Sequence, residues 1–203
     1  MEGSRHLLCA KLSARVYKQH DARTAGIESL ASDDKTIIAF AGTDVKQPQD
    51  VLRDIRIFPL WSPELGLCPA GFLKAARRLG YIVLDHLADN DLEKVTLTGH
   101  SLGGAVALIT AALIARECPG DNKIREVVTF GAPRVGKLRT LDCPVSMYRY
   151  QNDIVPTVPW PMPRPGKLLH IGNRNSRGNW ISDHGIMNYI NALRRQDLES
   201  VHI

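Results

Sequence analysis

Hydrophobic positions along the chain follow two alternating spacings, one typical of helices and one typical of buried strands. In residues 5–19, Leu8, Leu12 and Val16 recur every four positions, which predicts an amphipathic helix. The short, β-branched run T-I-I-A-F at 36–40 predicts a buried strand instead. The same criteria predict further helices over 72–87, 101–118 and 184–195 and further strands over 94–98, 126–130, 145–150 and 168–171.

Because strands and helices alternate, we expect an α/β fold in which a mainly parallel central sheet carries helices on both faces. In sheets of this kind, functional groups lie at the carboxyl ends of the strands. The chain has 203 residues, of which 44% are hydrophobic, and this is enough for one substantial core. Residues 1–203 are therefore predicted to form a single compact domain.

The apolar runs of the chain are all short. None approaches the roughly 18 to 20 residues that a membrane-spanning helix needs, so no transmembrane segment is predicted. The N-terminal segment lacks the continuous apolar stretch and the small-residue cleavage site of a signal peptide. We therefore expect either a cytoplasmic protein or the mature form of an exported one. The oligomeric state stays open.

Charge and cysteine usage narrow the choice of partners. The formal net charge is +5, but the 26 lysines and arginines are spread among 21 acidic residues without the clustered basic and aromatic pattern of a nucleic-acid binder. We expect no nucleic-acid partner, and the basicity weakly favours anionic lipid as a partner.

The four cysteines are scattered without a C-x-x-C pair, which disfavours a zinc site and favours free thiols in a reducing compartment.

A serine lies at a sharp turn between the strand predicted at 94–98 and the helix predicted at 101–118. The stretch L-T-G-H-S-L-G-G fits the nucleophile-elbow pattern G-x-S-x-G, in which Gly99 and Gly103 leave room for a sharp turn that projects Ser101. The helix N-terminus behind it offers unpaired N–H groups to a developing oxyanion. The alternative is a serine that only caps the helix. The flanking strand and helix favour a nucleophile.

A nucleophilic serine needs an orienting acid and a base, which follow it in this order in folds of this type. Asp153 comes at the end of a predicted strand, where the sheet can deliver a carboxylate beside the elbow. Asp142 precedes that strand and is expected at the opposite edge, and Asp121 belongs to a P-G-D-N turn. Asp153 is the preferred acid, with an Asx-type turn as its alternative role.

Three histidines follow Asp153. His202 is the penultimate residue and is expected to fray, and His170 lies within the apolar strand K-L-L-H-I, where a partly buried structural role is favoured. His184 lies between the loop N-W-I-S-D-H-G and a helix, which suits an imidazole that reaches Ser101. Its neighbour Asp183 is close only in sequence, because adjacent side chains do not face each other. We favour His184 as the base.

Several motifs in the same order make the chain resemble the class 3, fungal-type lipase family of α/β-hydrolases. They include the elbow G-H-S-L-G-G, the oxyanion strand A-F-A-G-T at 39–43, F-G-A-P-R-V-G at 130–136, N-D-I-V-P-T-V-P at 152–159 and D-H-G-I-M-N-Y at 183–189. The stretches D-V-L-R-D at 50–54 and C-P-A-G-F at 68–72 echo two more family motifs. Ala41, Val51 and Pro69 depart from the residues usual in the family.

The resemblance implies a serine carboxylic-ester hydrolase of the α/β-hydrolase fold, most readily a lipase that cleaves acylglycerol or other lipid esters through an acyl-enzyme. It implies a Ser101–His184–Asp153 triad and an oxyanion hole made by the backbone N–H groups of Thr43 and Leu102. No metal or cofactor is implied. Residues 44–67 occupy the position of the family's lid, and an amphipathic lid there implies transient binding at a lipid–water interface. The alternative is a fixed connection packed on the core.

Other functions use the same residues. A phospholipase A1 or a short-chain carboxylesterase differs from a lipase only in pocket shape, and a catalytically silent binding module can share the fold.

The proline-rich run at 156–165 predicts a stiff, extended loop beside the acid. Trp160 and Met162 in this run either line an acyl pocket or form a surface wall. Arg164 and Lys167 are candidates for contact with phospholipid headgroups.

Overall fold

The computed structural model describes residues 2–17, 27–30, 36–41, 59–62, 65–173 and 179–201. Its five described α-helices are α1 (Glu2–Arg15), α2 (Ala70–Asp89), α3 (Leu102–Glu117), α4 (Trp180–Asp183) and α5 (Ile186–Val201). Its eight described strands are β1 (Ile27–Leu30), β2 (Ile37–Phe40), β3 (Pro59–Ser62), β4 (Gly66–Pro69), β5 (Val95–His100), β6 (Ile124–Phe130), β7 (Val145–Tyr150) and β8 (Lys167–Ile171).

Six strands form the central sheet, in the order β1-β2-β5-β6-β7-β8. The pairs from β2 to β8 are parallel, and β1 adds to the edge antiparallel to β2. The predicted, mainly parallel sheet is thus confirmed. Strands β3 and β4 form a separate antiparallel pair. Since β5, β6 and β7 run in the same direction, their carboxyl ends lie at one edge of the sheet.

Neighbouring residues along each strand point to opposite faces and enter two different cores. Val127 and Met147 pack with α2 and α3 in one core. Val128 and Tyr148, one residue further on, pack with α1 and α5 in the other core. Strand β2, I-I-A-F, is buried on both faces and has a continuous apolar sequence instead of an alternating one. The prediction of helices on both faces is therefore confirmed.

Most element boundaries fall close to their predicted positions. The strand at 145–150 matches residue for residue, whereas the last helix begins at Ile186 and is preceded by the short helix α4 in a stretch predicted as loop. Strand β1 and the β3–β4 pair were not predicted. Of the candidate lid at 44–67, residues 44–58, 63 and 64 lie outside the described residues. Among those described, no helix is both long and apolar enough to cross a bilayer.

Candidate active site

The turn from β5 into α3 places Ser101 in a backbone conformation that side-chain-bearing residues rarely adopt. Its φ is 55° and its ψ is −128°, and its backbone N–H donates to the carbonyl of Phe130 over 2.9 Å. A Cβ at Gly99 would lie 2.4 Å from the backbone carbon of Gly103, so only glycine allows strand and helix to approach this closely. A positive φ at a serine is a strained feature that clusters at functional sites.

Ser101, His184 and Asp153 form one hydrogen-bonded chain. Nε2 of His184 lies 2.9 Å from Oγ of Ser101, and Nδ1 of His184 lies 2.9 Å from Oδ2 of Asp153. Ser101 and His184 are each only 4% exposed, and Asp153 is fully buried. Because an ionised carboxylate only accepts, Nδ1 carries the imidazole proton and Nε2 is left to accept from the serine hydroxyl. This is the protonation pattern that a general base requires.

Two further groups hold the Asp153 carboxylate. The backbone N–H of Val155 donates to Oδ1 over 2.9 Å, and the Tyr189 hydroxyl donates to Oδ2. Burial, followed by the negative charge of Asp153, raises the pKa of the Tyr189 phenol well above its ordinary value, so this donor keeps its proton. Tyr189 lies in the motif D-H-G-I-M-N-Y, which identified the region but not this contact.

The other acids considered from the sequence lie elsewhere. Asp142 is exposed, and Asp121 pairs with the ammonium group of Lys123 over 2.8 Å. Asp183 is buried, but its Oδ2 accepts from the backbone N–H of Asn152 over 3.2 Å. Asp183 therefore does not reach the imidazole next to it in sequence. It ties the segment that carries His184 to the residue before Asp153.

The remaining histidines downstream of Asp153 are also separate from the site. His170 is half-buried in β8, as its apolar surroundings in the sequence suggested, and His202 lies outside the described residues. Only His184 is within hydrogen-bond distance of both the serine and the aspartate in the described part of the chain.

A second histidine, His100, contacts the backbone of His184. Its Nε2 lies 2.7 Å from the backbone carbonyl oxygen of His184, and its Nδ1 lies 3.1 Å from the hydroxyl of Tyr17, which follows α1. A carbonyl only accepts, so Nε2 of His100 carries the proton and Nδ1 accepts from the tyrosine. This role could not be predicted from the sequence, because His100 occupies the unrestricted x position of G-x-S-x-G.

Protonation of His100 is strongly disfavoured. Burial, followed by the positive charge available to His184, lowers the pKa of His100 to about 3. In the unfolded chain the pKa of a histidine is about 6.5. Between these values the unfolded chain takes up a proton that the folded protein does not. The stability contributed by neutral His100 is therefore complete above about pH 6.5 and decreases as the pH falls toward 3.

We predict that His100→Gln removes part of the acid sensitivity of folding. Glutamine keeps an N–H near the position of Nε2, so the bond to the His184 carbonyl is retained while the titratable group is lost. The free energy of unfolding of the wild type, relative to the variant, should fall by up to about 1.4 kcal/mol per pH unit below about pH 6.5. Urea unfolding at a series of pH values measures this difference, and two parallel pH profiles would contradict the assignment.

Gly131, which follows β6, lies directly against the triad. Its φ is +62°, and a Cβ there would lie 2.9 Å from Oδ2 of Asp153 and 3.0 Å from Nδ1 of His184. A side chain at this position would displace the acid and the base from each other. Gly131 belongs to the motif F-G-A-P-R-V-G, but the motif alone does not show that the end of β6 lies against Asp153 and His184.

Half of the predicted oxyanion hole lies in the described structure. Leu102 is the first residue of α3, so its backbone N–H has no acceptor within the helix and lies next to Ser101. The positive end of the helix dipole adds to the field at this point. The other predicted donor, Thr43, lies outside the described residues.

Two of the described thiols, those of Cys9 and Cys143, do not compete with Ser101 as nucleophiles. Cys9, Cys118 and Cys143 are free cysteines. Burial raises the pKa of both the Cys9 and the Cys143 thiol to about 12, so neither forms the reactive thiolate near neutral pH.

Comparison with known proteins places this geometry in context. Residues 37–162 match the family model described as Lipase (class 3), a segment that includes Ser101 and Asp153. A lipase from Rhizomucor miehei is 31% identical over 175 residues, covering 79% of this chain and 46% of the relative. A lipase from Rhizopus niveus is 35% identical over 114 residues, covering 51% and 28% respectively. The matches thus span less than half the length of these relatives.

The fold comparison agrees with the sequence comparison. The solved structure of Rhizomucor miehei triacylglyceride lipase superposes with a TM-score of 0.59 at 26% identity, covering 70% of this chain and 59% of the other. The expectation of an α/β-hydrolase fold, made from the sequence motifs, is confirmed.

Proposed function

The chain belongs to the class 3 lipase family, and from this premise we propose that it is a serine hydrolase that cleaves carboxylic esters of lipids. The observation that carries the proposal is the continuous hydrogen-bonded chain from Ser101 through His184 to Asp153, at the carboxyl edge of a mainly parallel sheet. The substrates we propose are acylglycerols or similar lipid esters, since the relatives described above are lipases.

Acylation begins at Ser101. Nε2 of His184 accepts the proton of the serine hydroxyl while Oγ attacks the ester carbonyl carbon. Asp153 keeps the imidazole in the required tautomer and stabilises the imidazolium that forms, and Tyr189 and Val155 hold the carboxylate in place. The imidazolium then gives its proton to the departing alcohol, which leaves an ester between the acyl group and Ser101.

Deacylation repeats these steps with water. Nε2 of His184 takes a proton from a water molecule that attacks the acyl-enzyme, and the same proton returns to Oγ when the fatty acid leaves. In both steps negative charge develops on the carbonyl oxygen. We assign the backbone N–H of Leu102, at the N-terminus of α3, as a donor to this oxyanion. One donor of this kind contributes about 2.7 to 4 kcal/mol to the stability of the transition state.

A labelling experiment tests this assignment directly. A fluorophosphonate probe should modify the wild type at Ser101, and tandem mass spectrometry of the digested protein locates the adduct. Ser182, which lies on α4 close to His184 in sequence, is an internal control that should stay unmodified. Absence of labelling in a folded protein would favour the catalytically silent binding module.

Substrate class is tested on p-nitrophenyl esters and natural lipids. Hydrolysis of dispersed palmitate esters and of triacylglycerol would support a lipase. Release of fatty acid from phosphatidylcholine but not from triacylglycerol would make the protein a phospholipase. Turnover of the soluble butyrate ester alone would make it a short-chain carboxylesterase.

A further inference from the structure

The segment between β7 and β8, residues 151–166, carries the catalytic aspartate and an unusual surface. We call it the acid loop. Three arginine side chains hydrogen-bond to backbone carbonyls of this loop and to nothing acidic in the part of the chain that the structure describes. Arg134 donates to Met162 over 3.1 Å, Arg149 to Asp153 over 2.8 Å, and Arg164 to Pro156 over 3.2 Å.

These guanidinium groups form a cluster of uncompensated positive charge. Burial, followed by the charges of Arg134 and Arg149, lowers the pKa of Arg164. Each guanidinium has five N–H donors and uses one of them in the bonds to the acid loop. The Nε of Arg134 is buried without a partner, so the donors left for an anion are the remaining terminal N–H groups. Groups arranged in this way match the oxygens of a phosphate ester.

The local sequence strengthens the same charge. Residues 131–173 contain six lysines and arginines but only two aspartates, a net charge of +4 out of the chain's +5. One of the two, Asp153, is fully buried in the triad and therefore does not present its charge at the surface. The other, Asp142, precedes β7 and forms no ion pair with Arg134, Arg149 or Arg164 among the described residues.

Apolar groups project from the same loop. Trp160 is 78% exposed, and its ring is approached by the Arg134 guanidinium, whose central carbon lies 5.1 Å from the ring centroid. Ile154 is 36% exposed. The neighbouring Met162 is buried, so of the two residues considered for an acyl pocket, one lies in the core and the other at the surface. Tryptophan is enriched at membrane–water interfaces because its ring is apolar and its N–H is polar.

The loop is held firmly in this shape. The backbone N–H of Arg134 donates to Val158 over 2.8 Å, and that of Gly136 donates to Pro163 over 3.2 Å. The exposed tryptophan is therefore presented by a fixed support, which lowers the entropic cost of inserting it into a partner.

We propose that the acid loop docks the protein on a lipid surface that contains anionic phospholipid. Trp160 and Ile154 enter the interfacial region, and Arg134, Arg149 and Arg164 bind the lipid phosphates. An interfacial tryptophan beside several arginines is the combination that membrane surfaces of negative potential attract. Since the same loop carries Asp153, docking brings the triad to the lipid. This role deepens the proposed function, but the binding step itself does not depend on catalysis.

Binding is therefore measured on Ser101→Ala protein, so that hydrolysis of the vesicles does not enter. Sedimentation with vesicles of phosphatidylcholine alone and of phosphatidylcholine mixed equally with phosphatidylglycerol gives the partition coefficients. We expect clear preference for the anionic vesicles, and a marked weakening as salt is added. Equal binding to both vesicle types would overturn the proposal.

Matched substitutions locate the contact. Arg164→Gln and Arg134→Gln should each lower the partition coefficient on anionic vesicles by about fivefold. Arg78→Gln, which removes the same charge from an exposed position on α2, is the control and should have a much smaller effect. Arg164→Lys should restore most of the binding, because it restores the charge. If the three glutamine variants behave alike, the cluster is not the docking site.

Fluorescence provides an independent readout. The chain contains three tryptophans, and the emission of the protein should shift to the blue when anionic vesicles are added. Trp160→Phe should remove this shift, whereas Tyr81→Phe, at a 67% exposed aromatic on α2, should not change it.

Competition with inorganic phosphate separates the lipid surface from a site for the free ion. If phosphate displaces the protein from vesicles no better than sulfate does at equal ionic strength, docking on the lipid surface is supported. Specific displacement by phosphate would instead show a site for the free ion and overturn the proposal.

The two proposals fail in distinguishable ways. Vesicle binding without fluorophosphonate labelling or ester hydrolysis would leave docking in place and overturn the enzymatic function. Labelling and hydrolysis of soluble esters, without preference for anionic vesicles, would overturn only the docking.

Discussion

Ser101→Ala is expected to lower kcat for ester hydrolysis by about 10⁴- to 10⁶-fold, the range in which serine hydrolases lose activity when a triad member is removed. The alanine lacks the Oγ that lies 2.9 Å from His184, so no acyl-enzyme can form. Stability should change little, because the hydroxyl contributes only this one side-chain bond among those described. Stopped assays on p-nitrophenyl butyrate and urea unfolding measure both quantities.

The double variant tests whether the groups act as one unit. Once Ser101 is alanine, His184 has no proton to accept, so adding His184→Asn should cost almost nothing more. By itself His184→Asn should be nearly as damaging as Ser101→Ala. His170→Asn, which changes the histidine in β8, is the matched control and should keep most of the activity. Additive losses, or equal losses at His170 and His184, would contradict the triad.

The sequence was informative wherever a local pattern had only one structural solution. The apolar run I-I-A-F predicted β2, because a strand buried on both faces favours a continuous apolar sequence. The more mixed sequences of β5, β6, β7 and β8 were predicted from their β-branched and aromatic residues. The edge strand β1, with the sequence I-E-S-L, is too polar to give such a signal. Its pairing with β2 is determined by the tertiary structure and not by its own composition.

The hydrogen-bonded chain of Ser101, His184 and Asp153 could be predicted because Ser101 and Asp153 each follow a strand and His184 precedes a helix. The order of the strands brings the strand ends together. The supporting residues could not be predicted in this way. His100 contacts the backbone of His184 from 84 positions away, and Asp183 contacts the backbone of Asn152 from 31 positions away. Backbone N–H and carbonyl groups are the same at nearly every residue, so a contact of this kind leaves no pattern in the sequence.

Gly99→Ala is expected to destabilise the folded protein by about 3 kcal/mol or more, because the new methyl group overlaps backbone and not a movable side chain. Its Cβ would lie 2.4 Å from the carbonyl carbon of Gly103, 2.5 Å from the oxygen and 2.6 Å from the nitrogen of Gly104. Relief requires α3 to move away from β5, and this movement displaces Ser101 from His184. Activity should therefore be lost in whatever fraction remains folded.

Gly80→Ala is the matched control, since it adds the same methyl group to a glycine on α2. The nearest atom to its Cβ would be a side-chain carbon of Ile114 at 3.9 Å, an ordinary contact. An alanine inside a helix is more favourable than glycine by up to about 1 kcal/mol, so this variant should be as stable as the wild type or more stable. Urea unfolding compares the two variants. Equal stabilities would mean that a methyl group fits at position 99 without moving α3 away from β5. The steric reason given for a glycine at this position of the elbow would then be wrong.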